Sequence, residues 1–389
     1  MSRVYVIAQG GGPTAVINQT VAGAALAARE KHPGARVYGA RHGIRGVAGG
    51  DLVDLSALSE ADLRRFADTP NSGLGSTRDK PDGAYCERIV AGLEKVKADA
   101  FIYIGGNDTA GTMGILDEIE TGAMKFVHAP KTIDNDLVEN DHTPGFISAA
   151  WFVASAFLSV DLDFRAMPGI YVGIVMGRHA GFLTASAAAW RRPGENDGPH
   201  LVYVPEAHFS PEKLIADIRA ARETHGRCVV AMSEGVQTED GTPLAERLIP
   251  EERKERDAHG NLQLSGGDLG LALQAAIAAA FPKVRARVDT FGYLPRGFSG
   301  LVSEVDRREA FAIGRFAVEA AETESGSVAM QFVDGRTTLK LVPLAAVAGR
   351  TQHMPRDFVT AGGNDVTEAC RAYLDRLVPP RPETWTPFV

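Results

Sequence analysis

The chain has 389 residues, enough for two or three domains or for two lobes of one globular unit. Its 41 basic and 49 acidic side chains give a formal charge of -8, which argues against a nucleic-acid backbone binder but leaves room for a local anion site. Three cysteines (Cys86, Cys228 and Cys370) share no metal-like spacing and make no disulfide framework, so a reducing, cytoplasmic setting is expected.

The first residues, MSRVYVIAQG, run into a strand pattern without the form of a signal peptide or acylation site. No apolar run is read as approaching the roughly 20 residues of a membrane span, and no membrane partner is expected. Further along, short β-rich runs end in small or polar residues: VYVIAQGGG, AFIYIGGND, MKFVHAPKT, IYVGIVMGRH, HLVYVPE, CVVAMSEG and VDTFGYLPRG. Helical patterns lie between many of them. The clearest is SPEKLIADIRAARETHG, where Ser210 is placed to cap, Pro211 fits the first turn and Gly226 ends the run. Strands alternating with helices predict an α/β fold with mainly parallel sheets covered on both faces, and such sheets bind ligands beyond their strand C-termini. We place one lobe at residues 1–145, to which about 297–345 returns, a second at 146–296, and a C-terminal helix and tail at 346–389. GSVAMQFVDGRTTLKLVPL reads as a hairpin around Asp334 and Gly335, and VPPRPETWTPFV as an extended tail or an arm on a partner.

The chemistry-bearing stretches sit at the strand ends. AQGGGPTAVINQT lets backbone amides approach phosphate oxygens, although a plain strand-to-helix turn reads equally well. It matches neither the Walker A loop nor GxGxxG, which speaks against a Rossmann oxidoreductase. IYIGGNDTAGTMG repeats the device and adds the oxygens of Asn107 and Asp108, a carboxylate able to hold Mg²⁺. GGND recurs at 362–365 without a preceding strand, so the strand–turn–helix setting carries the weight. In PKTIDNDL an extended turn would point Asp134 and Asp136 to one side. One can then take a proton while the other supports Mg²⁺ or orients substrate, and Lys131 suits a phosphate. A solvated Asx-rich loop is the bland alternative. Arg178 and His179 in VMGRHAGFLTA, Arg296 in FGYLPRG, Arg287 in RARVDTFGY, and Arg78 and Lys80 in LGSTRDK follow strands or turns. Each arginine reads equally as a surface ion-pair residue. Together they describe a site for phosphorylated ligands, for which phosphoryl transfer is the economical reaction class.

The set GGGPTAVIN, LGSTR, GGNDT, PKTIDNDL, TPGF, MGRHAGFLTA, VPE and GYLPRG resembles the phosphofructokinase family in order and spacing over roughly residues 3–300. The resemblance implies two similar α/β/α lobes with an active-site cleft between them, a donor-binding lobe at 1–145 plus about 297–345 and a sugar-phosphate lobe at 146–296. It implies Mg²⁺ as cofactor, and a homodimer or homotetramer sharing site residues across its interface. Carried over, Asp134 is the base for the sugar C1 hydroxyl and Asp136 its supporting neighbour. Thr132 contacts the sugar or the moving phosphate. Met176 and Arg178 line the sugar-phosphate site, Arg178 also meeting the phosphoryl group. Glu206 binds sugar hydroxyls, Arg296 grips the 6-phosphate, Arg287 reaches in from a neighbouring subunit, and Tyr293 stands where ATP-type relatives have histidine. Gly11, Arg78, Gly106, Asn107, Asp108 and Thr109 fall on the donor side, with Asn107 and Asp108 nearest the metal.

Two departures from the ATP-using pattern point to pyrophosphate as donor. Asp108 stands where that pattern has glycine and would crowd and repel a nucleotide α-phosphate. Lys131 replaces a glycine and can grip pyrophosphate. The expected reaction is reversible phosphorylation of fructose 6-phosphate by pyrophosphate. Gly169 occupies the spacing of an arginine found in many bacterial relatives, which keeps a related sugar phosphate such as sedoheptulose 7-phosphate open. An ATP-dependent kinase and a non-catalytic sugar-phosphate sensor are the other readings.

Overall fold

The computed structural model describes residues 2–120, 122–254 and 267–383. Strand β1 (Val4–Gln9) shows why the first sheet is covered on both sides. Tyr5 and Ile7 pack with Ile17 and Val21 of the Ile17–Lys31 helix and with Ile313 and Ala317 of the Glu304–Ala320 helix. Val6 and Ala8 pack in a different cluster, with Ile89 and Leu93 of the Gly83–Lys95 helix and Met113 and Leu116 of the Asn107–Ile119 helix. The period of two in a strand sends neighbouring side chains to opposite faces, so an uninterrupted apolar strand demands helices on both.

Around β1 lie β2 (Arg36–Ala40), β3 (Leu52–Asp54), β4 (Ala100–Gly105), β5 (Lys125–Pro130), and the later β10 (Gly326–Val333) and β11 (Arg336–Val342). The order is β11-β10-β5-β4-β1-β2-β3. β10, β5, β4, β1 and β2 run parallel, and antiparallel β11 and β3 close the two edges. A second, fully parallel sheet has the order β7-β8-β6-β9, formed by β6 (Ile170–Val175), β7 (Leu201–Tyr203), β8 (Cys228–Ser233) and β9 (Ala286–Thr290). Ile170, Val172 and Ile174 meet Leu214 and Ile218 of the Pro211–His225 helix and Leu273 and Ile277 of the Asp268–Ala280 helix. The chain divides into two compact units, Met1–Ala149 with Arg296–Gln352 and Ala150–Pro295 with His353–Val389. The C-terminal helix Glu368–Asp375 thus falls in the second unit. Residues 384–389 of the expected tail lie outside the described residues.

Local signals behave as their chemistry dictates. Ser210 Oγ accepts the Lys213 amide and Gly226 ends its helix at φ 74°. Asp334 and Gly335 both take positive φ, 50° and 77°, as a two-residue hairpin turn requires. The second GGND is a loop, closed by Gly363 N donating to Thr360 O. One expectation is corrected. The 21-residue helix Phe146–Ala166 is long and apolar enough to cross a bilayer, with a mean hydropathy of 1.4 in its most apolar window. Its rings are used within the protein instead: Phe157 and Phe164 both pack on Tyr171 of β6.

Candidate active site

Three strand ends of the first unit meet at Lys131. Gly10 N donates to Ile104 O at 2.8 Å and Gly11 N to Thr77 O at 2.9 Å. Ser76 Oγ donates to Gly11 O at 2.6 Å. Lys131 donates from its amide to Gly105 O at 3.0 Å and from Nζ to Gly12 O at 2.7 Å. Gly11 makes the turn with φ 73°, and the guanidinium of Arg296 lies so close to Gly12 that a Cβ there would stand 3.1 Å from Cζ. Arg296 therefore groups with the first unit, beside the glycine-rich loop. Lys131 is almost fully buried. Burial pulls its pKa down to about 8, with Arg296 and Arg78 acting in the same direction while Asp134 and Asp136 push back. Three cations thus face two carboxylates at the ends of β1 and β5, a local positive excess in an acidic chain.

The segment after β5 is bent rather than extended, yet both aspartates stay partly accessible. Thr132, Asp134 and Asp136 are half-buried, and Lys131, Ile133, Asn135 and Leu137 between them are buried. Asp134 N donates to Thr132 Oγ1 at 3.1 Å. Asn135 turns the chain at φ 59°. Thr143 Oγ1 donates to Thr132 O at 2.9 Å, and Thr132 bridges Gly145 in parallel register. The loop is therefore tied back on itself.

Gly106 caps the Asn107–Ile119 helix. Asn107 Oδ1 accepts the Asp108 amide at 2.8 Å, and Asp108, in the first turn, pairs with Lys80 at 3.2 Å with both side chains exposed. Thr109 is buried and its side chain folds back over Gly105. Among the described residues no group of three histidine, cysteine or acidic side chains is arranged as a protein-only metal cage. Mg²⁺ does not need one, because it keeps several waters and binds through one or two carboxylates plus substrate phosphates. The hard oxygens of Asp108 and Asn107 fit that requirement, since an exposed ion pair with Lys80 exchanges easily.

In the second unit β6 delivers Met176, Gly177 and Arg178. Ser233 Oγ donates to Gly177 O at 2.6 Å, and a Cβ on Gly235 would collide with Arg178 O, so the MGR backbone is fixed by the end of β8. His179 lends its carbonyl to His353 Nδ1 at 2.8 Å. Glu206, after β7, accepts the amides of Gly181 and Met354 on Oε1 at 3.0 and 2.9 Å. Its Oε2 is buried without a hydrogen-bond partner, and burial raises its pKa against those amides. Such an oxygen suits a ligand hydroxyl. Arg287 lies apart on the edge strand β9, exposed, with Nη1 donating to Ala286 O, and Tyr293 is exposed as well. At Gly169 a side chain would meet Arg285 O at 2.4 Å, which leaves no room for an arginine in that register. Neighbouring Arg165 is committed to Asp161 and Asp197 at 3.0 and 2.9 Å.

The family model described as phosphofructokinase matches residues 4–321. The chain belongs to the phosphofructokinase family. It is 47% identical over 380 residues to a pyrophosphate–fructose 6-phosphate 1-phosphotransferase of Rhodospirillum rubrum, covering 96% of this chain and 93% of the relative. It is 35% identical over 399 residues to the enzyme of the same name from Halomonas elongata, covering 98% and 92%. The crystal structure of a pyrophosphate-dependent phosphofructokinase from Marinobacter aquaeolei superposes with a TM-score of 0.85 at 28% identity, over 100% of this chain and 94% of that one.

What holds these loops leaves no local mark in the sequence. His128, buried under the GGND turn, lies 2.9 Å from Gly105 O through Nε2 and 2.7 Å from Ser327 Oγ through Nδ1. His142 and Asp306, behind the aspartate loop, were equally silent. Glu309, which holds His142, and Gly145, which Asp306 holds, each lie more than 150 residues from the residue they meet, beyond any local pattern.

Proposed function

We propose that this chain catalyses Mg²⁺-dependent, reversible transfer of a phosphoryl group from pyrophosphate to the C1 hydroxyl of fructose 6-phosphate, giving fructose 1,6-bisphosphate and phosphate. The observation that carries the reading is Lys131, buried against the glycine-rich loop with Arg296 and Arg78 around it and Asp134 and Asp136 beside it. Pyrophosphate supplies the negative charge this cluster lacks.

In the forward reaction Asp134 accepts the C1 hydroxyl proton as the C1 oxygen attacks the terminal phosphorus. The P–O bond to the second phosphate breaks in line, and that phosphate leaves with the electron pair. Lys131 and the amides of the glycine-rich turns hold the donor and offset charge on the leaving group. Asp136 and Thr132 support the acceptor, and Arg178 meets the moving phosphoryl group. Glu206 Oε2 takes a sugar hydroxyl, Met176 lines the sugar, and Arg296, Arg287 and Tyr293 serve the sugar phosphate. Asp108 and Asn107 would hold Mg²⁺, which would supply positive charge against pyrophosphate. Positioning and electrostatics supply the catalysis, with no covalent enzyme intermediate. Asp108 occupies the first turn of the helix, where a nucleotide α-phosphate would meet its carboxylate. The molecule works as a homodimer or homotetramer in the cytoplasm, and exposed Arg287 on an edge strand suits a residue shared with another copy.

The test is turnover of purified protein with fructose 6-phosphate and Mg²⁺, comparing pyrophosphate with ATP. A preference for pyrophosphate of more than about 100-fold in kcat/KM, or roughly 2.7 kcal/mol, is expected. ATP preference overturns the donor assignment. The closed register at Gly169 favours one second reading, a related acceptor such as sedoheptulose 7-phosphate. A higher kcat/KM for that sugar than for fructose 6-phosphate would establish it.

A further inference from the structure

His142 has no place in the transfer chemistry, yet it is among the most completely enclosed ionisable groups of the first unit. Its ring is 1% exposed. Nδ1 lies 2.8 Å from Asp141 Oδ1 and Nε2 lies 2.8 Å from Glu309 Oε2. A carboxylate can only accept, so two such contacts require both ring nitrogens to donate, which only the imidazolium does. The titratable groups facing it are Asp141 from its own loop and Glu309 from the Glu304–Ala320 helix. From β11, Thr337 Oγ1 donates to the other oxygen of Glu309 at 2.6 Å. One turn earlier on the same helix, fully buried Asp306 accepts the amides of Gly145 and Ser148 at 2.8 and 3.0 Å. One helix therefore grips the 142–148 segment at two levels. That segment in turn grips the aspartate loop, through Thr143 Oγ1 on Thr132 O and the Thr132–Gly145 bridge.

We propose that His142, clamped between Asp141 and Glu309, is a positioning residue for Asp134 and Asp136: it locks the 132–145 loop onto the 304–320 helix and so sets where the base stands. The inference rests on the phosphoryl-transfer reading for its kinetic consequences but not for its structural ones. Loss of the ring proton turns one nitrogen into an acceptor facing a carboxylate, and the clamp opens. Burial pulls the imidazolium pKa down, but hydrogen bonds and charge from Asp141 and Glu309 outweigh this and leave it at about 9. The lock is therefore closed at neutral pH and opens in the alkaline range.

The experiment compares wild type, His142→Gln and Glu309→Gln as full-length protein. Turnover is followed from pH 7 to 10, together with amide exchange of the 130–145 segment and the histidine ring titration by NMR. In wild type the ring is expected to titrate near pH 9. In both variants loop exchange rises at least tenfold at pH 7 while exchange in β6 and β8 is unchanged. At pH 7 kcat drops at least tenfold with both KM values within about threefold, and Glu309→Gln moves the alkaline limb of kcat toward lower pH by about one unit. A merely structural histidine would lower stability and leave that limb in place. If His142→Gln does not fold, Glu309→Gln alone decides. An unshifted limb, unaltered loop exchange, or a ring that titrates below pH 7 overturns the proposal. Wild type inactive with both donors would reject the functional reading, and the exchange and ring titration would still decide the clamp.

Discussion

Lys131 must carry a positive charge in a buried position, and that makes it sensitive to pH. With its pKa lowered to about 8, chiefly by burial, the ammonium is present at pH 7 and disappears within the physiological alkaline range. We expect kcat/KM for pyrophosphate to fall as pH rises through about 8, whereas kcat at saturation falls later, because bound donor restores the charge. Lys131→Met should cost about 10- to 100-fold in kcat/KM at pH 7, the range for losing one hydrogen bond to a charged group, and should erase that limb. A pH profile of both proteins checks this. Asp108 is coupled to Lys80, so its charge is partly offset. Asp108→Gly should reduce the pyrophosphate-over-ATP preference by about five- to tenfold, the effect of roughly 1 kcal/mol at an exposed charge contact. Lys80→Met exposes the carboxylate fully and should move the preference the other way. Equal preferences in all three proteins would reject Asp108 as the donor filter.

The Glu304–Ala320 helix is where packing and chemistry join. It crosses the Ile17–Lys31 helix with glycine against backbone on both sides: a Cβ at Gly314 would lie 2.1 Å from Thr20 O, and one at Gly23 would lie 2.2 Å from Phe311 O. Gly314→Ala gains about 1 kcal/mol in helix propensity, but two helices held this tightly have to separate by more than an ångström. Overpacking of that kind costs about 1–3 kcal/mol. We expect a net loss of stability, seen as a lower thermal midpoint. Because the same helix presents Asp306 and Glu309, kcat should fall too. An alanine variant as stable and active as wild type would show that the contact relaxes freely. Elements like this divide what was legible in the sequence from what was not. The capped 211–225 helix, the Asp334–Gly335 hairpin and the glycine turns after β1 and β4 are written in adjacent residues. The burial alternation of 131–137 matches a period of two, although Asn135 at φ 59° interrupts the extended backbone that the sequence suggests. The grouping of Arg296 with the first unit, the closed space at Gly169 and the His142 clamp depend on residues brought together from distant parts of the chain, and no local pattern encodes them. The length and apolarity of the 146–166 helix were there to be read, and were missed because polar residues interrupt its apolar run.

For the whole molecule, the buried histidines predict a stability maximum near pH 6.5. Burial leaves His128 at about 4 and His200, with help from nearby arginines, at about 3. An unfolded chain binds those protons first as pH falls, so stability is lost from about 6.5 downward. His142 works in the opposite direction. Its pKa of about 9 lies above the ordinary value of 6.5, so the folded state keeps a proton that the unfolded chain has released. That contribution is full below about 6.5, is lost as pH rises through about 9, and is on the order of 3 kcal/mol. Lys131 opposes it late: between about 8 and 10.5 the unfolded chain binds the extra proton, and stability recovers with pH. Urea midpoints should therefore rise from pH 4 to about 6.5, fall most steeply between 6.5 and 8, and level off between about 8 and 9, where the two slopes cancel. His128, His142 and Lys131 all belong to the first unit, whereas His200 belongs to the second. If the two units unfold in separate transitions, the alkaline fall belongs to the first, and His142→Gln should flatten it without touching the second. A wild-type midpoint that climbs from pH 6.5 to 8 would contradict the charged clamp at its root.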